Sequence, residues 1–213
     1  MTEAKISAYC HIAPGKVMLN GQLVQEENTT VFAEFIRLVY KAAGMSYPKF
    51  YKMDDLCKLA LVAAEQLLKD NQFLERHPKE NIGLIVQNAS ATYDTDATYQ
   101  ASIDDRANYF PSPAVFVYTL PNIMLGEICI KHKIFGENAL LISPAFDAAA
   151  LAQHLDLLME SGRITACISG WVEQKNEHYE AFLFLAEKTE GNANAAEHTL
   201  NAETLDILFK KHV

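Results

Sequence analysis

The chain has 213 residues, a formal net charge of -9 and a hydrophobic fraction of 50%. This composition is typical of a globular protein with a real core, and it excludes a largely disordered chain. The 18 Lys and Arg residues are scattered, which argues against a nucleic-acid partner or an anionic membrane surface. Because no window resembles a signal peptide or a membrane span, we expect a cytoplasmic protein.

Hydrophobic periodicity divides the chain into alternating short strands and amphipathic helices. The apolar run IGLIVQ is unbroken and lies between turn residues, which is typical of a strand covered on both faces. In the first half of the chain, the predicted elements are strands at 4–12 and 82–87, helices at 31–44 and 54–70, and a loop entering a short helix at 88–100.

The second half begins with a helix signal. Ser112 can cap a helix through its hydroxyl, and Pro113 suits the first helical position. Pro121 would end this short helix and allow another to begin near Asn122. The elements predicted after it are a strand at 139–143, a helix at 147–160, strands at 164–171 and 178–187, and a helix at 204–212.

The alternation of strands and helices predicts an α/β fold with a mostly parallel sheet and helices on both faces. One domain is expected over residues 1–190, followed at 191–213 by a polar linker and a short C-terminal helix. The four cysteines are far apart and have apolar neighbours, which predicts small buried thiols. Standard nucleotide, hydrolase and metal-binding motifs are absent from the sequence, so no cofactor and no metal are expected.

One stretch has the layout of a reactive centre. A strand there ends in a sharp elbow and leads into a helix, whose N-terminus would favour an anion or a thiolate. Alanine stands at the elbow, and the neighbouring serine has no base close to it in sequence. The elbow residues are Ser143, Pro144, Ala145, Phe146 and Asp147.

Residues 112–173 resemble the segment of β-ketoacyl synthases that runs from the dimer-interface helix through the active-site elbow to the next strand. The segments KMDDLCKLALVAAEQLL and IGLIVQNAS fit the preceding helix and strand, and the likeness covers most of residues 5–187. Its markers are the TLPN loop at 119–122 and Gly126, Gly136, Gly162 and Gly170. The resemblance implies one thiolase-like β-α-β-α-β-α-β-β half.

Aligning the glycines before and after the elbow places the family's nucleophilic cysteine at Ala145. Alanine cannot accept an acyl group, so the resemblance implies no catalytic residue at this position. The sequence also ends where the family's second half, with its two histidines, would begin. We therefore expect no competent ketosynthase from this chain alone.

The leading hypothesis is a noncatalytic accessory subunit, similar to chain-length factors, that pairs with a complete β-ketoacyl synthase and influences acyl chain elongation. An acyl carrier protein is a further expected partner, in fatty acid, polyketide or aryl polyene biosynthesis. The resemblance implies an acyl-pocket or partner interface at Ala114, Val115, Phe116, Tyr118, Leu120, Asn122 and Met124. The bulky members of this set are equally compatible with a core or a self-dimer.

Two alternatives belong to other classes of function. The first is an independent thioester hydrolase or acyltransferase that recruits another group, such as Ser143 or His11. The second is a homodimeric structural or ligand-binding protein whose interface closes on itself.

Overall fold

The computed structural model describes residues 3–69, 71–189 and 198–211, which form one sheet with helices on both faces. The strands are β1 Glu3–Ala13, β2 Lys16–Leu19, β3 Gln22–Glu26, β4 Ile82–Asn88, β5 Asn138–Ile142, β6 Ala166–Lys175, β7 His178–Thr189 and β8 His198–Thr199. The helices are α1 Phe32–Ala42, α2 Asp55–Leu68, α3 Phe73–Arg76, α4 Tyr93–Ala101, α5 Pro113–Phe116, α6 Ile123–His132, α7 Ala148–Glu160 and α8 Ala202–Lys210. Short 3-10 helices lie at Pro48–Lys52, Lys79–Asn81, Arg106–Asn108 and Val117–Thr119. Of the segment predicted at 191–213 as a polar linker and a short helix, residues 191–197 lie outside the described residues, whereas β8 and α8 fall in its later part.

The strand order is β3-β2-β1-β7-β6-β4-β5, with β8 paired to β1. Strand β4 runs parallel to β5 and β6, whereas every other pair of described strands is antiparallel. The expectation of a mostly parallel sheet was therefore wrong. Parallel pairs need long crossovers, whereas the tight turns after β1, β2 and β6 can join only antiparallel neighbours.

The hairpin of β2 and β3 was not predicted from the sequence. Its turn is Asn20–Gly21, and both residues have positive φ angles, of 51° and 80°. This is the backbone that a two-residue hairpin turn needs, and Asn-Gly is its strongest sequence signal. The signal was present in the sequence, but the prediction stopped the first strand at Pro14.

The sheet is covered on both faces, as predicted. Helices α1, α2 and α6 pack on one face in the larger hydrophobic cluster, while α7 and α8 pack on the other in a second cluster. All seven residues of β4 are buried, which confirms the interpretation of IGLIVQ as a doubly covered strand. On the second face, Leu205 and Leu208 of α8 are buried beside Leu155 of α7.

Two of the glycine markers lie where a side chain has no room. A Cβ atom on Gly170 would lie 1.9 Å from the carbonyl oxygen of Phe182 on β7, and Gly170 has a φ of +144°. A Cβ on Gly136 would lie 2.3 Å from the carbonyl oxygen of Ile82. Both glycines are therefore required by the close approach of neighbouring backbone.

Three of the four thiols are buried, as predicted, and all four are free. Burial raises the pKa of Cys129, the half-buried one, to about 11, so this thiol stays protonated near neutral pH.

Among the described residues, no single helix is long and apolar enough to cross a membrane. The bent pair Pro113–Thr119 and Ile123–His132, at 99°, passes that test only when taken together, by length and composition.

Candidate functional site: the elbow and the apolar edge

The predicted elbow joins the end of β5 to the start of α7. Asp147 is the N-cap of α7, because its Oδ1 accepts the backbone N–H of Ala150 at 2.9 Å. Pro144 and Ala145 are exposed, so the elbow presents residue 145 to solvent. The strand, elbow and helix therefore have the predicted layout, with a methyl group at the exposed position.

The end of β4 holds the elbow in place from the neighbouring strand. The buried Gln87 side chain grips Asp147 twice: its Oε1 accepts the Asp147 N–H at 2.8 Å, and its Nε2 donates to the Asp147 carbonyl at 3.0 Å. The Ser143 N–H donates to the Asn88 carbonyl at 2.9 Å. These bonds fix both ends of the elbow without using the side chain at position 145.

Neither residue considered as a substitute catalyst has the surroundings of an activated nucleophile. Ser143 Oγ donates to the carbonyl oxygen of Ala145 at 2.7 Å, and in the described part of the chain it has no hydrogen bond to a histidine or a carboxylate. His11 is 1% exposed, and its Nε2 lies 3.0 Å from Glu180 Oε1. A serine without a base and a histidine buried in the core do not make an activated nucleophile.

An open cleft of about 450 Å³ lies beside the elbow. Ala145 and Phe146 line it, and the centroid of the Phe146 ring lies 4.6 Å from that of Phe209 on α8, with the two rings tilted by 38°. The C-terminal helix thus packs directly against the elbow.

Across residues 3–69, 71–189 and 198–211, no group of three or more His, Cys, Asp or Glu side chains is arranged to hold a metal ion.

The seven predicted interface residues divide into exposed and buried sets. Phe116 and Leu120 are 51% and 49% exposed. Ala114 and Asn122 are also exposed, and Val115 is half-buried.

Tyr118 and Met124 belong to the buried set. Met124 packs in the larger core with no exposed surface, which agrees with the core alternative for this residue and not with a surface contact. Its position on the inner side of α6 is explained by the apolar face of that helix. Tyr118 Oη donates to Glu127 Oε1 at 3.2 Å, and the pKa of Tyr118 is raised by burial and then by the Glu127 charge.

A second, open cleft of about 340 Å³ is lined in part by Ala114, Val115 and Tyr118. The charged residues that also line it are Lys52, Asp54, Asp55, Lys58 and Asp94. The pKa of Asp54, the N-cap of α2, is raised by burial. Because the cleft is open, this chain alone does not form a closed acyl pocket here.

Strand β5 is the outer strand of the sheet, and no other described strand pairs with its free edge. Its sequence, Asn-Ala-Leu-Leu-Ile, contains no charge, and Ile142 is 62% exposed. Exposed apolar side chains also precede it, Ile130 on α6 and Phe135 in the turn before β5. Edge strands of monomers are usually protected by charge, proline or a cover. We call β5 with these three side chains the apolar edge.

Sequence comparison with protein families and with curated proteins finds no match. Solved structures do match, with low sequence identity. The ishigamide ketosynthase/chain length factor superposes with a TM-score of 0.65 at 17% identity, covering 89% of this chain and 63% of that chain. An acyl-carrier protein complex of a type II PKS ketosynthase bound to a hexaketide gives 0.60 at 10%, covering 88% and 63%. A ketosynthase in complex with its chain length factor from Xenorhabdus doucetiae gives 0.54 at 12%, covering 90% and 81%.

These likenesses establish the fold. The chain has the architecture of a thiolase-like half found in ketosynthases and chain length factors, as its sequence resemblance implied. It spans 63% of the length of the first two matched chains. Sequence reasoning missed the residues that hold the elbow, although the signal was visible: Gln87 and Asn88 are polar residues at the end of an apolar strand.

Proposed function

We propose that this chain is a noncatalytic ketosynthase-like accessory subunit that pairs with a complete β-ketoacyl synthase and influences acyl chain elongation. The observation that carries the proposal is an elbow of the ketosynthase type, held by Gln87 and Asn88, with Ala145 at its exposed position. A methyl group cannot attack a thioester, so covalent acyl transfer has no nucleophile at this position. A preserved scaffold without that nucleophile suits a subunit that acts through its partner.

The partner is proposed from the apolar edge and the fold. An uncharged strand edge offers backbone donors and acceptors to a strand of another chain, and the apolar side chains around it favour burial. Two of the solved structures with this fold are named as ketosynthases with chain length factors. We infer that a complete synthase docks along β5 and the exposed residues Phe116 and Leu120.

The acyl carrier protein, and a setting in fatty acid, polyketide or aryl polyene biosynthesis, belong to the same proposal. One structure of similar fold is an acyl-carrier protein in complex with its ketosynthase. The cleft beside Ala114 and Val115 is open, which supports an indirect role, because a closed acyl pocket would require walls from the synthase. The proposed functional unit is 1–190, with α8 packed against its elbow.

Two substitutions test the proposed interface. We expect Leu120→Asp to weaken the dissociation constant for the synthase about tenfold or more, because it places a charge in a desolvated contact. Phe116→Ala removes an exposed ring and should weaken binding in the same direction. The dissociation constants are measured by calorimetry with the purified complete synthase.

Leu23→Asp is the matched control, because Leu23 is also 49% exposed but lies on β3, at the opposite edge of the sheet. It should bind the synthase as the native chain does. Equal binding by all four proteins would refute the assigned interface. A stable homodimer that binds no synthase would refute the accessory role and favour the self-associating alternative.

A further inference from the structure

The carboxyl end of β4 is a place where open α/β sheets bind ligands. The chain leaves β4 toward β5 through α6 on one face of the sheet, and leaves β5 toward β6 through α7 on the other. Strand β4 lies between β5 and β6, so the order in which successive strands are added across the sheet reverses beside β4. Crevices at such reversals are the common ligand sites of this architecture.

Backbone N–H groups of the loop after β4 donate hydrogen bonds to one carboxylate, that of Glu173. Oε2 of Glu173, on β6, accepts the backbone N–H groups of Ala89 at 2.8 Å and of Ser90 at 3.2 Å. It also accepts Asn88 Nδ2 at 2.9 Å. Glu173 is 5% exposed. Successive backbone N–H groups that converge on one oxygen form an anion-binding nest.

The loop holds this shape against a conformational cost. Ala91 has a φ of 51°, in the left-handed region that costs a residue with a Cβ roughly 1–2 kcal/mol. The Ala91 N–H donates to Asn88 Oδ1, while Asn88 Nδ2 also donates to the Val172 carbonyl at 2.6 Å. Asn88 thereby ties the loop to β6. The loop is thus preorganised to present donors to an anion.

We propose that this nest is an anion site that the chain fills with its own Glu173 carboxylate, and that removal of this carboxylate makes the nest available to a small free carboxylate. Ala89, Ser90 and Glu173 line the same open cleft as Ala145, which gives a solute a route to the nest. In the native chain, the two backbone N–H groups are therefore already engaged and do not serve a ligand at the elbow.

The test uses formate as a replacement for the missing carboxylate. Glu173→Ala should lower the melting temperature, and sodium formate should restore part of the loss, by about 2 °C or more beyond sodium chloride at equal ionic strength. The native chain should respond to the two salts alike. Glu177→Ala, at an exposed position in the turn before β7, is the matched control and should also show no formate-specific response.

A folded Glu173→Ala variant that responds equally to formate and chloride would overturn the proposal. So would a formate-specific rise of the same size in the native chain. If the alanine variant does not fold, Glu173→Gln decides the question, because the amide keeps the shape and loses the charge. Amide hydrogen exchange at Ala89 and Ser90 should then be about tenfold faster than in the native chain, and unchanged exchange would contradict a nest built for an anion.

Discussion

The elbow follows the carboxyl end of β5 and the apolar edge runs along the same strand, yet the two regions are stabilised in different ways. The elbow is held by hydrogen bonds from β4 through Gln87 and Asn88. The apolar edge pairs with β4 on one side only and exposes Ile142, Phe135 and Ile130. The fold accounts for the elbow and for the apolar residues of β5 that pack against the two clusters, whereas nothing in the described fold requires Ile130, Phe135 and Ile142 to be apolar. We conclude from this contrast that the elbow has a structural role and that the apolar edge is the surface to test for function.

The sheet that carries both regions depends on close backbone packing at Gly170. We expect Gly170→Ala to cost about 4 kcal/mol or more of unfolding free energy, because its Cβ would lie 1.9 Å from the Phe182 carbonyl oxygen. Urea denaturation measures the loss. Gly126→Ala is the control: its Cβ would meet only Ile123 Cδ1, at 3.8 Å, and alanine favours a helix, so stability should stay equal or rise.

The stability of the fold should depend on pH through Glu187, near the carboxyl end of β7. Burial alone would raise the pKa of Glu187, but hydrogen bonds from His77, Ser7 and Arg76 lower it to about 2, from an ordinary value of 4.5. A lowered pKa stabilises the fold above pH 4.5, and the stabilisation is lost as the pH falls from about 4.5 to 2. Its magnitude is up to about 3 kcal/mol.

Glu187→Gln should therefore lower stability at pH 7 and flatten the acid limb of the stability curve. The curve is measured by urea denaturation at a series of pH values. Glu26→Gln, in an exposed pair with Lys16, should leave the curve unchanged. An acid limb of native steepness in Glu187→Gln would show that other carboxylates dominate.

Removing the hydrogen bonds from Gln87 to the elbow should lower the unfolding free energy by less than Gly170→Ala does. Gln87→Ala deletes two hydrogen bonds to Asp147, with an expected loss of about 2 kcal/mol. Gln22→Ala, an exposed glutamine on β3, should change stability by less than about 0.5 kcal/mol. Equal stability of the two variants would mean that Gln87 does not hold the elbow.

The smallest expected effect is at the elbow position itself. Ala145→Ser should change the unfolding free energy by less than about 0.5 kcal/mol, because the residue is exposed and the bonds that fix the elbow go to its neighbours. Thermal unfolding measures it. A loss comparable to that of Gln87→Ala would show that alanine is required for the shape, and the contrast between scaffold and edge would then fail.

Much of the fold could be predicted from local sequence. The buried run at β4, the Ser112–Pro113 helix start and the elbow before α7 each depend on neighbouring residues, and all three are confirmed. Most strand pairs in the sheet are antiparallel because of which strands are neighbours in space. Hydrophobic periodicity along the sequence does not reveal those neighbours. The pairing of Glu173 with the loop at Ala89 likewise depends on residues distant in sequence.

The measurement that tests the central claim most directly is product analysis of a complete β-ketoacyl synthase from the same organism, reconstituted with and without this chain. We predict a stable complex whose products change in chain length or yield, and Leu120→Asp should abolish the change while Leu23→Asp keeps it. Products that are identical with and without the chain, at concentrations where the native complex is formed, would contradict the accessory role.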